Sequence, residues 1–183
     1  IRDSIRDVSN LAWKISHCLK NEHNDKLLNT YQSERSSNVK EYIETTMRMG
    51  EFVNAVGKSP ITNNISADSK GRKSMKSIKP RLGQGLGDLK DKFRGKIFPQ
   101  FIIKKNKKLD EKFSLKPALI ISDEIKKNIS SKIKLIKSKN IKNLELFFKE
   151  HNCKAIIVRP DRFILSSCTS VKNFNSYLNK SLS

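Results

Sequence analysis

The feature that most constrains this chain is a helical repeat in its first twenty residues. Apolar residues recur at steps of three and four and so share one face of a helix: Val8, Leu11, Ala12, Ile15, Cys18 and Leu19. Asp3, Ser4 and Asp7 supply the short oxygen-bearing side chains and the negative charge that favour a helix start. The pattern therefore predicts an amphipathic helix that begins almost at residue 1, with Trp13 packed between the helix and the core. Because nothing leads into this helix, we expect the chain to be the back part of a longer protein, with an apolar helix face left for a missing domain.

A second helix is predicted from about Lys26 to Val56, after a polar turn over Asn21 to Asn24. Its apolar positions keep helical spacing over most of this length: Leu27, Leu28, Tyr31, Val39, Tyr42, Ile43, Met47 and Val53. The short connection makes the two helices antiparallel neighbours.

Charge is the most extreme bulk property of the chain. Its 38 Lys and Arg residues against 18 Asp and Glu residues give a net charge of +20. Such an excess can indicate a polyanionic partner. The lysines are scattered, without interleaved aromatic residues or a nucleic-acid-binding motif, which favours a solvated surface of biased composition. A Lys-rich basic binding module for nucleic acid or another polyanion remains the alternative function.

Other residue types argue against a membrane, a disulfide and a metal site. No apolar run approaches the roughly 20 residues that cross a bilayer, so no membrane partner is expected. Cys18, Cys153 and Cys168 form an odd set without a close pair, which favours reduced thiols in a cytoplasmic protein. The three histidines lack metal-ligand spacing, so no metal site is predicted.

The middle of the chain shows no sustained hydrophobic periodicity. From Gly57 to Lys96 it is rich in Gly, Pro, Ser, Asn and Lys, which predicts an irregular surface connection. Within it, Gly83-Gln84-Gly85-Leu86-Gly87 has the composition of a phosphate-binding loop. No strand precedes it and its glycine spacing differs from the phosphate-binding patterns, so we interpret it as a flexible turn.

The remainder alternates short apolar runs with helical periods. Strands are predicted at Ala118–Ile121, Lys132–Ile136, Cys153–Val158 and Arg162–Ser166, and helices at Asp123–Ile129, Ile141–His151 and Val171–Leu182. This βαβαββα order is that of a thioredoxin-like domain, and the lack of a Cys-x-x-Cys pair favours a scaffold or interface over dithiol chemistry. The predicted fold class is α/β: an antiparallel helix pair, a long linker and a small thioredoxin-like α/β domain.

Three blocks of sequence stand out as motifs. The first is Ile1 to Lys14 and includes Asp7-Val8-Ser9-Asn10-Leu11-Ala12-Trp13-Lys14. The second is Leu27-Leu28-Asn29-Thr30-Tyr31-Gln32-Ser33-Glu34-Arg35. The third combines Gly95–Gln100, Leu109-Asp110 and Val158–Phe163. Together they resemble FAD-dependent aromatic-ring monooxygenases of the phenol hydroxylase and 3-(3-hydroxyphenyl)propionate hydroxylase type. In that family Asp-x-x-Asn-Leu-Ala-Trp-Lys-Leu follows a Gly-Gln-Gly turn and precedes Leu-Leu-x-x-Tyr-x-x-Glu-Arg.

The resemblance implies a fragment of a flavoprotein that hydroxylates a phenolic or aromatic substrate with FAD, NAD(P)H and dioxygen. Its parts would be the last helices of an FAD-binding domain at 1–57, an irregular linker at 58–96 and a thioredoxin-like domain at 97–183. The cofactor-binding residues it implies are Ile1, Arg2, Asp7 and Asn10. Ile1 and Arg2 would act through backbone N–H groups at the positive end of the helix. Asp7 and Asn10 would fix that helix against the FAD domain.

The same resemblance implies the partners. These are a missing N-terminal FAD and substrate domain and a small aromatic substrate; a homodimer is compatible, and nucleic acid is not expected. No catalytic residue is predicted here, because no residue has a claim to acid–base catalysis. The chain also has no dinucleotide-binding glycine motif after a strand. The fragment alone is therefore expected to be inactive and to retain no FAD. A degenerate homologue, whose thioredoxin-like part serves only oligomerisation, is a third interpretation.

Overall fold

A computed structural model of the chain describes residues 2–20, 25–54, 65–67, 73–75, 79–104, 107–113, 116–125, 133–139, 141 and 143–170. This part has an antiparallel helix pair at its amino end and a mixed four-stranded sheet towards its carboxyl end. The predicted α/β class and the helix pair are therefore confirmed. Helix α1 spans Arg2–Lys20 and helix α2 spans Asp25–Asn54, close to the predicted bounds.

Helix α1 turns the face expected to be apolar away from the rest of the described chain. Val8 is 66%, Ile15 41% and Leu19 80% exposed. The residues that α1 buries, Trp13 apart, are polar: Asn10 and Lys14 are both 0% exposed. The helix is amphipathic as predicted, but it contacts its own chain through its polar face.

Two short hairpins occur where the sequence shows no strand period. Strands β1 (Ile65–Ala67) and β2 (Lys73–Met75) pair antiparallel inside the stretch expected to be irregular. Strands β3 (Ile102–Lys104) and β4 (Lys107–Lys108) form the second hairpin, and a 3-10 turn follows at Leu109–Lys112.

The main sheet uses the four predicted strand regions. It contains β5 (Ala118–Ile121), β6 (Lys134–Lys137), β7 (Ala155–Val158) and β8 (Ile164–Cys168), in the order β6-β5-β7-β8. Strands β5 and β6 are parallel and the other two pairs are antiparallel. Helix α3 (Leu144–Glu150) connects β6 to β7. The thioredoxin-like assignment of this domain stays a prediction.

Two predicted helices of this region are not established by the structure. Residues 122–125 form a turn rather than the start of the helix predicted at Asp123–Ile129. Residues 126–130 and the helix predicted at Val171–Leu182 lie outside the described residues.

Both faces of the sheet are buried, which explains why its central strands are apolar at every position. Ala118 and Ile120 of β5 face one cluster with Phe148 of α3, while Leu119 and Ile121 face a second cluster on the opposite side. The alternation follows from the two-residue period of a strand.

Two cysteines lie in these cores without a disulfide. Cys153 and Cys168 are 0% and 5% exposed. Burial raises the pKa of the Cys153 thiol to about 11, so the thiol stays protonated and unreactive at neutral pH.

The stretch before the first strand of the sheet is not the surface connection that its composition predicts. Leu82, Phe93 and Arg94 are buried. The Gly83 N–H donates to the Glu34 carbonyl of α2 at 2.8 Å, and the Gly95 N–H donates to the Ile164 carbonyl of β8 at 2.8 Å. Residues 79–98 therefore join the helix pair to the sheet. The proposed boundaries at 57 and 96 stay predictions.

Among the helices that the structure describes, none combines the length and the apolar composition needed to cross a bilayer.

Candidate functional site

The helix pair and the sheet meet at a buried carboxylate, Glu34 of α2. Glu34 is 0% exposed and lies against the Arg159 guanidinium, which donates from Nη1 to Oε1 at 2.7 Å and from Nη2 to Oε2 at 2.8 Å. The Lys14 ammonium of α1 donates to the same Oε2 at 2.9 Å. A two-point guanidinium–carboxylate contact fixes both partners in orientation as well as in distance.

A second buried carboxylate, Asp161, continues the contact toward α1. It lies in the turn between β7 and β8, where Arg159 donates from Nε to Oδ1 at 3.1 Å and from Nη2 to Oδ2 at 2.6 Å. Two residues of α1 reach Asp161 Oδ2: Asn10 Nδ2 at 2.9 Å and Trp13 Nε1 at 3.1 Å. The Trp13 ring also lies under the Arg159 guanidinium, 5.1 Å from the ring centroid to Cζ. One arginine thus organises two carboxylates that belong to opposite ends of the chain.

We call this group the Glu34 junction; its members are Asn10, Trp13, Lys14, Glu34, Arg159 and Asp161. Its four ionisable side chains are two basic and two acidic, and such opposite pairing limits the cost of burying them. Burial alone would raise the pKa of Glu34, but the hydrogen bonds and charges of Arg159 and Lys14 outweigh it and lower that pKa to about 2. For Lys14, burial dominates and lowers the pKa despite its bond to Glu34. The junction therefore depends on an ionised Glu34 at neutral pH.

The glycine-rich segment at residues 83–87 packs directly against Glu34 of the junction. The Leu86 N–H donates to Glu34 Oε1 at 3.0 Å. A Cβ on Gly85 would lie 2.5 Å from that same oxygen, and a Cβ on Gly87, whose φ is +87°, would strike the Leu165 carbonyl. The interpretation of this segment as a flexible turn is therefore wrong. Its glycines permit the backbone to approach α2 and β8.

Arg94 holds the same glycine-rich segment and Leu82 beside it through hydrogen bonds to backbone carbonyl groups. Its Nε donates to the Leu86 carbonyl at 2.8 Å, and its Nη1 donates to the Gly83 carbonyl at 2.6 Å and to the Leu82 carbonyl at 3.3 Å. Burial is the largest influence on this guanidinium and lowers its pKa.

A second polar contact holds α1 to α2 one turn closer to the amino end. Arg35 Nε donates to Asp7 Oδ1 at 2.7 Å, and Arg35 Nη1 donates to Asn38 Oδ1. Asn38 in turn donates from Nδ2 to the carbonyls of Pro80 and Arg81 at 2.8 and 3.0 Å. The rotation of α1 about its axis is therefore fixed at Asp7 as well as at the Glu34 junction.

Three buried polar atoms around the junction have no hydrogen-bond partner in the part of the chain that the structure describes: Asn10 Oδ1, Arg35 Nη2 and Arg94 Nη2. Asn10 uses its amide nitrogen on both Glu34 and Asp161, at 3.2 and 2.9 Å, which settles the orientation of its side chain.

Of the four residues predicted to bind a cofactor, three belong to the described part of α1. Ile1 lies outside the described residues, and Arg2 is the first residue of α1. Asp7 and Asn10 do fix the helix, but the groups they contact belong to this chain: Arg35 for Asp7, and Glu34 and Asp161 for Asn10. Their assignment to a cofactor site stays a prediction.

The amino end of α1 has exposed side chains at Ser4 and Ile5 of its first turn in the described structure. The helix has 19 residues, so its first unpaired N–H groups carry the positive end of a full helix dipole. Backbone N–H groups at such an end suit a flavin ring that becomes anionic on reduction.

Sequence reasoning did not single out Glu34, Arg159 and Asp161 as a functional set. Each lies inside a motif block of the resemblance, but nothing in the spacing reveals that residues 125 positions apart meet. The sequence signal that could have found this set is the resemblance itself, because each of the three motif blocks contributes residues to the Glu34 junction.

Comparison with known proteins supports the resemblance for the helix pair. Residues 3–46 match the model of the family described as FAD binding domain. The chain also resembles in fold the crystal structure of a ternary complex of aklavinone-11 hydroxylase with FAD and aklavinone, with a TM-score of 0.54 at 15% identity. That alignment covers 99% of this chain and 40% of the hydroxylase, so the chain spans well under half of the protein it resembles.

A second structure, OxyS anhydrotetracycline hydroxylase from Streptomyces rimosus, aligns with a TM-score of 0.47 at 14% identity over 95% of this chain and 39% of that one. No curated protein sequence matches the chain at a significant level. The matched family is described by its binding of FAD, the cofactor that the resemblance implies.

Proposed function

We propose that this chain, similar over residues 3–46 to the FAD binding domain family, is the carboxy-terminal part of an FAD-dependent monooxygenase that hydroxylates a phenolic or other aromatic substrate. The observation that carries the proposal is the family match itself, because it covers α1 and most of α2, the two helices that the Glu34 junction orients. The fold likeness to an FAD-bound hydroxylase supports it independently of sequence identity.

The contribution of this chain to catalysis is to hold one end of the cofactor. Bound FAD, reduced by NAD(P)H, supplies the activation of dioxygen for ring hydroxylation. The N–H groups at the start of α1 would stabilise negative charge on the flavin ring. The Asp7–Arg35 pair and the Glu34 junction would hold those N–H groups in place, since both contact the first three turns of α1.

The exposed apolar side chains along one side of α1 support the proposal that a further domain packs against this helix. Ile5, Val8, Ile15 and Leu19 lie on one side of the helix and are between 41% and 80% exposed. Contiguous exposed apolar side chains of this kind mark interaction surfaces. The proposed occupant is the remainder of the FAD-binding domain, with the substrate ring bound in that missing part.

The carboxy-terminal region, from residue 97, would then be a thioredoxin-like scaffold in a cytoplasmic enzyme. Its buried, protonated Cys153 thiol supports a structural role over a redox role. Its contacts to α1 and α2 through Arg159 and Asp161 are the function that its geometry supports.

The test is a turnover assay on the intact protein that contains this chain. We expect FAD-dependent oxidation of NADH or NADPH that is stimulated by small phenols, with one oxygen atom from ¹⁸O₂ incorporated into the ring as judged by mass spectrometry. The matched control is the 183-residue chain alone, which should show no turnover. Purified intact protein that binds FAD but incorporates no oxygen into any of a broad panel of phenols would contradict the proposed reaction.

A further inference from the structure

We propose that Arg159 and Asp161, at the far end of the chain, are positioning residues for the flavin that α1 is proposed to support. The inference rests on the proposed function and extends it from the helix pair to the sheet. It assigns a role to the β7–β8 turn, which neither the family match at 3–46 nor the fold comparison provides.

Helix α1 is anchored both to α2 and to the sheet, and within the helix pair Lys14 binds Glu34 at 2.9 Å. Asp7 binds Arg35 of α2 at 2.7 Å. Asn10 and Trp13 bind Asp161 of the sheet at 2.9 and 3.1 Å. The opposite side of the helix is exposed in the described structure, so the contacts to α2 and to Asp161 together limit the tilt of α1.

Within the sheet, the Arg159 side chain holds Asp161. The Arg159 guanidinium contacts Asp161 through Nε and Nη2 and contacts Glu34 through Nη1 and Nη2. Arg159 is 2% exposed and its ring neighbour is Trp13. Because all three nitrogens of this planar group donate to Glu34 or Asp161, the positions of α1, α2 and the β7–β8 turn are set together.

The junction lies well away from the amino end of α1, where the flavin is proposed to bind. A small tilt of the helix at the junction therefore displaces that end. Eight residues separate Asn10 from Arg2, which corresponds to about 12 Å along the helix axis. A tilt of about 5° at the junction would therefore move the amino end of α1 by about 1 Å. A displacement of that size is enough to cost up to about 100-fold in a positioned reaction.

Two substitutions separate positioning from overall stability. Asp161→Asn keeps the shape but removes the charge that Arg159 and Asn10 contact. Trp13→Phe keeps an aromatic ring beside Arg159 and every charge of the junction, and removes the 3.1 Å bond to Asp161 together with part of the buried ring, so it should fold even if the first variant does not. The control is Ile136→Val, a buried β6 position 4% exposed in the sheet core, which loses stability without touching the junction.

The measurements are the FAD dissociation constant and the visible circular dichroism of bound flavin in the intact protein, each taken at the same interval below the melting temperature of each variant. We expect FAD affinity to fall about tenfold for Asp161→Asn and about threefold for Trp13→Phe, with altered flavin dichroism. Ile136→Val should match wild type within about twofold. In the 183-residue chain alone, hydrogen exchange of the α1 amides should rise in the two junction variants and not in the control.

Three results would overturn the inference. FAD binding and dichroism unchanged in both junction variants would reject the positioning role while leaving the proposed function intact. An equal loss in Ile136→Val would show that stability alone is responsible. Wild-type intact protein that binds no FAD would reject the proposed function, and the positioning role with it.

Discussion

Removing the charge of Glu34 should destabilise the chain far more than removing a surface carboxylate. Glu34→Gln keeps the volume but places an amide opposite the Arg159 guanidinium and the Lys14 ammonium, both of which donate hydrogen bonds. One of the two cations then faces an N–H₂ group at hydrogen-bond distance. Breaking a buried pair by neutralising one partner costs about 3–5 kcal/mol. For a domain whose stability is about 5–15 kcal/mol, that loss corresponds to a melting temperature lower by about 10 °C.

The pH dependence of the free energy of unfolding gives a second measure of how much an ionised Glu34 stabilises the chain. The pKa of Glu34 falls from its ordinary value of 4.5 to about 2 in the folded chain. Because the folded-state pKa is the lower one, the stabilisation is complete above about pH 5 and is lost as the pH falls towards 2. A shift of this size corresponds to about 3 kcal/mol. Wild type should lose this contribution on acidification, and Glu34→Gln should lack it.

The assay is urea unfolding at pH 7 and between pH 5 and 2.5, followed by far-UV circular dichroism and by fluorescence. Trp13 is the single tryptophan of the chain and lies in the junction, so its emission reports on the site directly. The matched control is Glu124→Gln, which neutralises a 47% exposed carboxylate paired with Lys154 and should cost less than about 1 kcal/mol. A loss below about 1 kcal/mol for Glu34→Gln, or an acid profile identical to that of wild type, would refute an ionised Glu34 as the centre of the junction.

Three further outcomes are expected. Gly85→Ala should destabilise the chain by about 1–3 kcal/mol because its Cβ would meet the Glu34 side chain, whereas Gly50→Ala, on an open helix surface, should stabilise it by about 0.5–1 kcal/mol in the same urea titration. Cys153 and Cys168 should react with a thiol reagent only at the rate of unfolding, since burial raises both pKa values; fast labelling of either of these two residues in the folded protein would contradict this. If the +20 charge serves a polyanion, affinity for heparin or duplex DNA should fall by orders of magnitude between about 50 and 200 mM salt; the flavoenzyme proposal expects no useful affinity at physiological salt.

Hydrophobic periodicity was sufficient to predict the secondary structure that depends on local burial. The bounds of α1 and α2 and the positions of β5 to β8 follow from the 3.6 and 2.0 residue periods of apolar side chains. The hairpin of β1 and β2 was missed because its strands are only three residues long, too short to establish a two-residue period.

The site could not be predicted in the same way, because it reverses the usual rule for helices. Lys14 and Glu34 occupy polar helix positions, which a pattern assigns to solvent, yet both are fully buried. Their burial depends on Arg159, a partner 125 residues from Glu34 in the chain. Conversely, the apolar residues Val8 and Leu19 are exposed, since the surface they suit is not supplied by the described chain. Local periodicity carries no information on either long-range relation.

The most direct test of the proposed flavin role is equilibrium dialysis of FAD against two proteins, the intact protein and the 183-residue chain alone. We predict that the intact protein retains FAD with a micromolar or lower dissociation constant, and that the chain alone retains none, because it supplies helix N–H groups but no dinucleotide-binding glycine motif after a strand. Yellow, protein-bound flavin on the chain alone, or no binding by the intact protein, would contradict this account.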